Sequence, residues 1–539
     1  YVVRFKWVTL IIITISLFIL TSLSFGQEKY ENVTIDFAEL KLEKSKTANL
    51  ISAFKVDEGY ILFKKEPIRG PGGWRYFIET RDTDLKVVSS VDVSQQFEDE
   101  NYVIQRIIRI GNSYALFSTK NFKSESKDVL FLQTFNWESG KLSSPKKLHS
   151  RKYEGKRKGR LKFATRTSPN HKLLSYEVYA TGKDKITRTI YKVLDENLEE
   201  VWSIDNVFIK VEKGSYYAEI NSIIDNDGTV FVLGYKRVER DRKAGIKQGE
   251  KEYEIMRITE DGVETTKINN KKHKLDDVQL TQTKDGSLFF GGYYFGEKIY
   301  GIEGVFLLTL DKETLKLEDE FWSEFTHEFI TEGWSERQTK KAKKKEDKGK
   351  LTLTNLYLRQ VLKHDDGSIS LIGERYWETT TTTTSANGVT TTRTTYHYGD
   401  LVITRISSSG ELVSQTKYKK HRTHFGAYDV LNVGNDLFIL ILEKKISLLG
   451  KDIKTMEKKE RKEYAGWAFA ATKINPEGEK NPYMLIDYTD PKYAKFRRYD
   501  KVYLNSSIVH HGDKSELLVV TYKGSKKWAI GRFSFTKED

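Results

Sequence analysis

His421 and His424 stand three residues apart, a spacing that can present two imidazoles to one metal ion. With His327 and His397 they make four of the chain's ten histidines. All four map to the same half of the loops, as the repeats described below show, and chance alone places about that many there. They read as solvated side chains that contact anions, and no metal is expected. "DNDG" (225–228) has the form of the start of a calcium loop, but the later ligands are missing and the piece recurs as a turn. No Gly-rich phosphate loop, HExxH or GxSxG pattern occurs at usable spacing. The absence of cysteine excludes a thiol nucleophile, a thiolate metal site, a disulfide framework and lipid attachment to a mature N-terminal Cys. No catalytic residue and no cofactor is therefore assigned.

The side chains left for chemistry are basic and aromatic. Five segments, 151–162, 236–252, 339–350, 416–422 and 443–463, together carry a formal +21, against +14 for the whole chain. The remainder is net negative, and "SQQFEDEN" (94–101) is an acidic exception among the loops. A positive field on one side attracts anions and steers encounter, more at low salt than at high. Trp74, Trp334, Tyr376, Trp377 and Trp467 border the same side and could stack on sugar rings or anchor an interface. The residues expected to bind a partner are Trp377, Arg393, Tyr396 and Tyr398. With them go the cations Lys156, Arg157, Lys158, Lys340, Lys341, Lys343, Lys344, Lys345, Lys419 and Lys420.

What positions these groups is a repeat. "DNDGTVFVLGYKR" (225–237) recurs as "TKDGSLFFGGYYF" (283–295) and "HDDGSISLIGERY" (364–376), with looser copies elsewhere. A second piece reads strand, tight turn, strand, as in "YEIMRITEDGVETTKI" (253–268). The turns of the first piece fall at Gly59, Gly111, Asn170, Asp227, Asp285, Asp366, Asn435 and Gly512, so the shorter steps lie near 58 residues. Two hairpins per unit, repeated eight times, predict an all-β chain forming one β-propeller of about eight four-stranded blades. Seven blades is the alternative if the divergent third unit is misread. Even spacing favours one ring over a sandwich array or two smaller propellers. The eighth unit lacks a fourth strand, and "VTIDFAELKLEK" (33–44) is expected to supply it and close the ring.

In such a ring the 1–2 and 3–4 turns of each blade lie on one face. The 2–3 loops and the links between blades lie on the other. The predicted insertions, 151–162, 236–252, 327–352, 374–399 and 443–463, all fall on the second face. "HEFITEGWSERQTKKAKKKED" (327–347) predicts a short helix docked on the rim through Phe329, Ile330 and Trp334. "ERYWETTTTTTSANGVTTTRTTYHYG" (374–399) joins strands 2 and 3 of the sixth unit. Threonine forms strand without needing a buried face, and Asn387-Gly388 predicts a two-residue type I′ turn. That register sets Ser385 against Thr390 and Trp377 against Tyr398, in a long hairpin arm.

Residues 1–26 have a basic start, an apolar run from Trp7 to Leu20, and small residues at Ser24 and Gly26. This is the form of a secretory signal cleaved after Gly26, with an uncleaved anchor as the rival. The "SFGQE" junction resembles those of exported Bacteroidota proteins, and the chain from 30 to 539 resembles exported bacterial β-propellers in general form. The resemblance implies an exported protein, periplasmic or at the cell surface. The expected function is a non-enzymatic scaffold of the cell envelope, such as an accessory subunit of an outer-membrane complex, with an envelope or outer-membrane protein as partner. The alternative is a propeller that binds or cleaves acidic polysaccharide or lipopolysaccharide. The export signal argues against nucleic acid.

Overall fold

In the computed structural model the described residues are 28–30, 33–43, 49–67, 74–96, 102–136, 139–152, 161–181, 187–208, 214–238, 250–268, 273–282 and 286–296. They continue as 301–346, 351–420, 428–448, 456–457, 466–491, 507–511, 514–523 and 527–537. Residues 1–26 lie outside them, so the signal and anchor expectations have no structural counterpart.

Each repeat unit folds into its own antiparallel sheet, giving eight sheets among the described residues. Blades 1 to 7 span 49–92, 102–152, 162–208, 215–267, 274–324, 356–418 and 428–487. Blade 8 combines 507–537 with 28–43. The third unit makes a complete four-stranded sheet, so the number is eight and not seven. Blade 2 has a fifth strand because Lys141–Leu142 and Lys146–Lys152 both pair with Lys127–Asn136.

The ring closes as expected. Val33–Glu43 runs antiparallel to Lys527–Lys537, with Val33 opposite Lys537 and Phe37 opposite Phe533. A further short strand, Glu28–Tyr30, pairs outside it. Without Val33–Glu43 the last C-terminal strand would present a bare ladder edge.

The core lies between blades, which explains the strand sequences. Inner strands are covered on both faces and read as apolar runs, such as "DLFILILEK" (Asp436–Lys444). Outer strands face water and are charged, such as "LEDEFWSE" (Leu317–Glu324). Separate clusters fill the seams: Phe63, Ile78 and Leu116 between blades 1 and 2, and Leu233, Phe290 and Phe306 between 4 and 5. Blades 7 and 8 meet through Phe438–Phe535 and Phe469–Phe533, with ring centroids 5.1 and 5.6 Å apart.

The link between blades 5 and 6 forms two helices, α1 (His327–Thr331) and α2 (Glu336–Glu346). Thr326 caps α1 by accepting from the Phe329 amide at 3.1 Å. Phe329 and Ile330 pack with Phe325, Leu353 and Leu356, so α1 docks on the rim as its apolar residues predict. Trp334 lies in the turn between the helices and stays exposed. The single expected helix is thus broken at Gly333, whose φ of +76° no continuing helix adopts.

Candidate functional site

Strands 2 and 3 of blade 6, Ile369–Thr384 and Thr390–Ile406, outrun their neighbours. Strand 1 last pairs at Leu356 opposite Arg375, and strand 4 at Tyr418 opposite Leu401. From Trp377–His397 to Thr384–Thr390 the two strands pair only with each other among the described residues. This is the expected arm.

Its register corrects the sequence expectation by one residue. The Gly388 amide donates to the Ser385 carbonyl and the Ser385 amide to the Val389 carbonyl, each at 2.9 Å. Gly388 supplies the one positive φ in the loop, +76°. The connection is therefore a three-residue loop that ends in a left-handed glycine, not a two-residue type I′ turn. Trp377 pairs with His397, and Tyr376 with Tyr398. A bulge at the base sets Arg375 against both Gly399 and Asp400.

That register gives the arm two different faces. Tyr376, Tyr396, Tyr398 and Glu378 share one, because directly opposed residues project to the same side. Tyr376 lies 5.0 Å from Tyr398 and 6.5 Å from Tyr396, ring centre to ring centre. Tyr357 of strand 1 meets its edge at 5.7 Å. The Tyr376 hydroxyl donates to Glu378, and this carboxylate holds the phenol above its ordinary range. Tyr396 is 54% exposed and Tyr357 40%.

The other face carries Trp377 and Arg393. The Trp377 ring stacks on His397 at 5.0 Å with 9° between planes, and the Arg375 guanidinium lies 5.8 Å from it. A Cβ on Gly399 would come within 3.0 Å of the Trp377 ring, so the indole lies against that backbone. Farther out on the tyrosine face, threonine hydroxyls pair across the strands, Thr382 with Thr392 at 3.4 Å and Thr384 with Thr390 at 3.3 Å.

Structure trims the basic face more than the aromatic one. Lys420 is buried with its ammonium held by Glu374, which also accepts from Arg359 Nε at 3.0 Å. It therefore anchors the base of the arm and is not on the surface. Lys417 is also buried and donates to the Ile330 carbonyl at 2.7 Å, tying α1 to blade 6. Burial pushes its ammonium down to about 8. Lys236 pairs with Glu254, Lys251 with Asp276 and Lys445 with Asp487. Four cations of these segments, Lys236, Lys251, Lys420 and Lys445, are thus neutralised by carboxylates from outside them.

Of the cations expected to bind a partner, Lys340, Lys341, Lys343 and Lys344 of α2 are exposed, as are Lys419 and Arg393. Ala342 between them is buried, so α2 is seated on the rim and presents its lysines outward. Lys345 lies on the same helix. His327 of α1 lies 2.6 Å from Glu346 of α2, whereas His397 stacks in the arm; the two do not converge. Lys156, Arg157, Lys158, His421 and His424 lie outside the described residues. Trp74 and Trp467 are exposed at their strand ends, and Lys65 lies 4.9 Å over the Trp74 ring.

Tyr357, Arg375 and Glu378 complete the aromatic base, and the sequence alone does not single them out. The one signal for Glu378 is its two-residue spacing to Tyr376. Tyr357 joins only because strand 1 is laid beside strand 2.

No family model matches the sequence, and no curated protein matches it. Among solved structures, prolyl oligopeptidase B from Galerina marginata is similar at 10% identity and a TM-score of 0.39, over 88% of this chain and 55% of that one. This chain thus spans about half the length of that protein. The β-propeller domain of the Trilobed protease from Pyrococcus furiosus is 12% identical with a TM-score of 0.35, over 84% of this chain and 99% of that one. Polysaccharide lyase Uly1 is 12% identical with a TM-score of 0.36, over 80% and 89%. These values assign this chain no activity, substrate or partner.

Proposed function

We propose that this propeller is a non-enzymatic scaffold of the cell envelope that engages a larger protein partner through the arm of blade 6 and the neighbouring lysines of α2. The observation that carries the reading is the arm itself. It projects beyond its own blade and keeps two ladder edges without strand partners among the described residues. Between Thr379 and Tyr396 its only charged side chain is Arg393. Exposed edges are ordinarily blunted by charge or proline, and a two-stranded hairpin alone is marginal in water. An arm kept in this form is best accounted for by a surface that receives it.

The partner is proposed to be an envelope or outer-membrane protein, on the strength of the signal-like residues 1–26. Among the described residues no helix is long and apolar enough to cross a membrane. The test is a quantitative pull-down from gently solubilised membranes, comparing the intact chain with one whose residues 377–397 are replaced by Asn-Gly. That variant joins Tyr376 and Tyr398, which already face each other. A stoichiometric envelope protein kept by the first and lost by the second supports the proposal. Retention by both removes the arm from it.

The second reading, binding of an acidic polysaccharide, is favoured by the exposed Tyr357 and Tyr396 rings and the α2 lysines. An array of acidic glycans separates the two. Binding that survives removal of the arm but fails when the four exposed α2 lysines become glutamine supports glycan recognition by α2.

A further inference from the structure

The seam between blades 3 and 4 holds two carboxyls with little base beside them. Several buried carboxylates elsewhere are matched by bases: Glu79 by Lys64 and Arg81, Glu254 by Lys236, Glu374 by Lys420 and Arg359, and Glu516 by Lys55. Glu177, in the second strand of blade 3 (Leu174–Thr181), is 3% exposed. Its one ion-pair partner among the described residues, Arg166, stands 3.9 Å away, with Nε donating to the Ser222 carbonyl and Nη1 to that of Thr165, each at 2.8 Å. Glu177 Oε1 accepts from the Ser222 hydroxyl at 2.9 Å; its buried Oε2 has no partner in hydrogen-bonding geometry among the described residues, with the Tyr179 hydroxyl beside the carboxylate.

A second carboxyl faces it across the seam. Glu219 lies in the innermost strand of blade 4 (Ser215–Ile224) and accepts from the Tyr179 hydroxyl at 3.1 Å. The groups acting on this pair are Tyr179 from strand 2 of blade 3, Tyr191 from strand 3, Arg166 from strand 1 and Tyr217 from Glu219's own strand. Glu254, beyond Tyr217, is already paired with Lys236. Two carboxyls therefore share a compartment of phenol rings with one guanidinium, which is held on backbone carbonyls and stands 3.9 Å from Glu177. Two like charges so placed do not ionise together readily. Burial first, and the Glu177 charge second, push the Glu219 carboxyl up to about 8.

We infer that Glu177 and Glu219 form a proton-operated joint in the propeller ring, holding blades 3 and 4 together while Glu219 keeps a proton and loosening when both are carboxylates. The inference is independent of the arm. Its mechanical setting is the innermost strand, where a bulge follows Glu219. Asn221 next to it ties blade 4 to Leu280 of blade 5 at 2.7 Å, and Ser222 ties it back to Glu177. Repulsion at Glu219 therefore acts on the strand that connects both seams.

The sign follows from linkage. A carboxyl whose folded value is raised binds its proton in the closed joint and releases it on opening, so opening is favoured as pH rises from about 4.5 to about 8. Above that range the effect levels off. The experiment is hydrogen exchange of the full chain across this range, corrected for intrinsic rates, following 215–224 with 428–433 of blade 7, which is remote from this seam, as internal control. Protection of 215–224 is expected to fall by up to about tenfold per pH unit and then level off. In Glu219→Gln it should stay high and flat, since the amide mimics the protonated acid. In Glu177→Gln the fall should finish at lower pH. An unchanged profile in Glu219→Gln, or a flat one in the wild type, overturns the inference. If the variants do not fold, infrared difference spectra of the wild type decide: a protonated-carboxyl C=O band near neutral pH that is lost at alkaline pH supports the joint, and its absence overturns it.

Discussion

Gly373 and Gly388 both belong to blade 6, and they should respond to a methyl group in opposite ways. A Cβ on Gly373 would lie 2.1 Å from the hydroxyl of Tyr293, which is fully buried, and 2.9 Å from a Leu356 methyl. Gly373→Ala is expected to cost about 1–3 kcal/mol of global stability by overpacking, read as a lower denaturant midpoint. Gly388 has open space but a left-handed φ. Its change to Ala should cost about 1 kcal/mol, confined to the arm and visible as faster exchange there with no change in global midpoint. Lys417 gives a pH signature. Its folded value of about 8 lies below that of an unfolded lysine, so the unfolded chain binds more protons above pH 8 and stability from this group rises from about 8 to about 10.4. Thermal unfolding of the wild type against Lys417→Met across that range should show the gain only in the wild type.

At the scale of elements, the arm and α1 behave as separate attachments to one blade. Replacing 377–397 by Asn-Gly removes exposed side chains and a two-stranded ladder, so the global midpoint should move by less than about 1 kcal/mol while partner capture is lost. Phe329→Ala is expected to cost about 3 kcal/mol or more, because the ring is buried on Phe325 at 5.3 Å and carries the Lys417 ammonium at 5.0 Å. The sequence made both elements legible: threonine runs around Asn-Gly, and an apolar cluster ahead of a lysine run. It misplaced the register, because Asn-Gly suits a type I′ turn as well as the end of a three-residue loop. Which of these closes the hairpin is decided by the strands below, where a bulge already shifts the pairing by one residue.

On the scale of the whole molecule the decisive contact joins the chain's two ends. Deleting residues 28–43 would strip the outer ladder from Lys527–Lys537 and uncover Phe533 and Phe535, both buried. The expected result is a loss of at least about 3 kcal/mol and concentration-dependent aggregation, measured by denaturant midpoint and light scattering. A circular permutant with 28–43 fused after residue 537 should keep the ring and its stability.

Repeat spacing, strand alternation and the missing fourth strand were enough to determine the propeller and its closure, and to favour eight units over seven. These are local patterns, repeated often enough to show the architecture, while the count rested on the divergent third unit, which the fold completes as a four-stranded sheet. Charge was less legible. Lys417 and Lys420 look like members of a surface cluster in sequence, yet the fold buries both, one on a carbonyl and the other on Glu374. Glu177 and Glu219 lie far apart in a chain rich in carboxylates, and only the packing of blade 3 against blade 4 makes them neighbours. Burial and pairing across seams depend on which strands the ring brings together, and a formal charge count contains no distances.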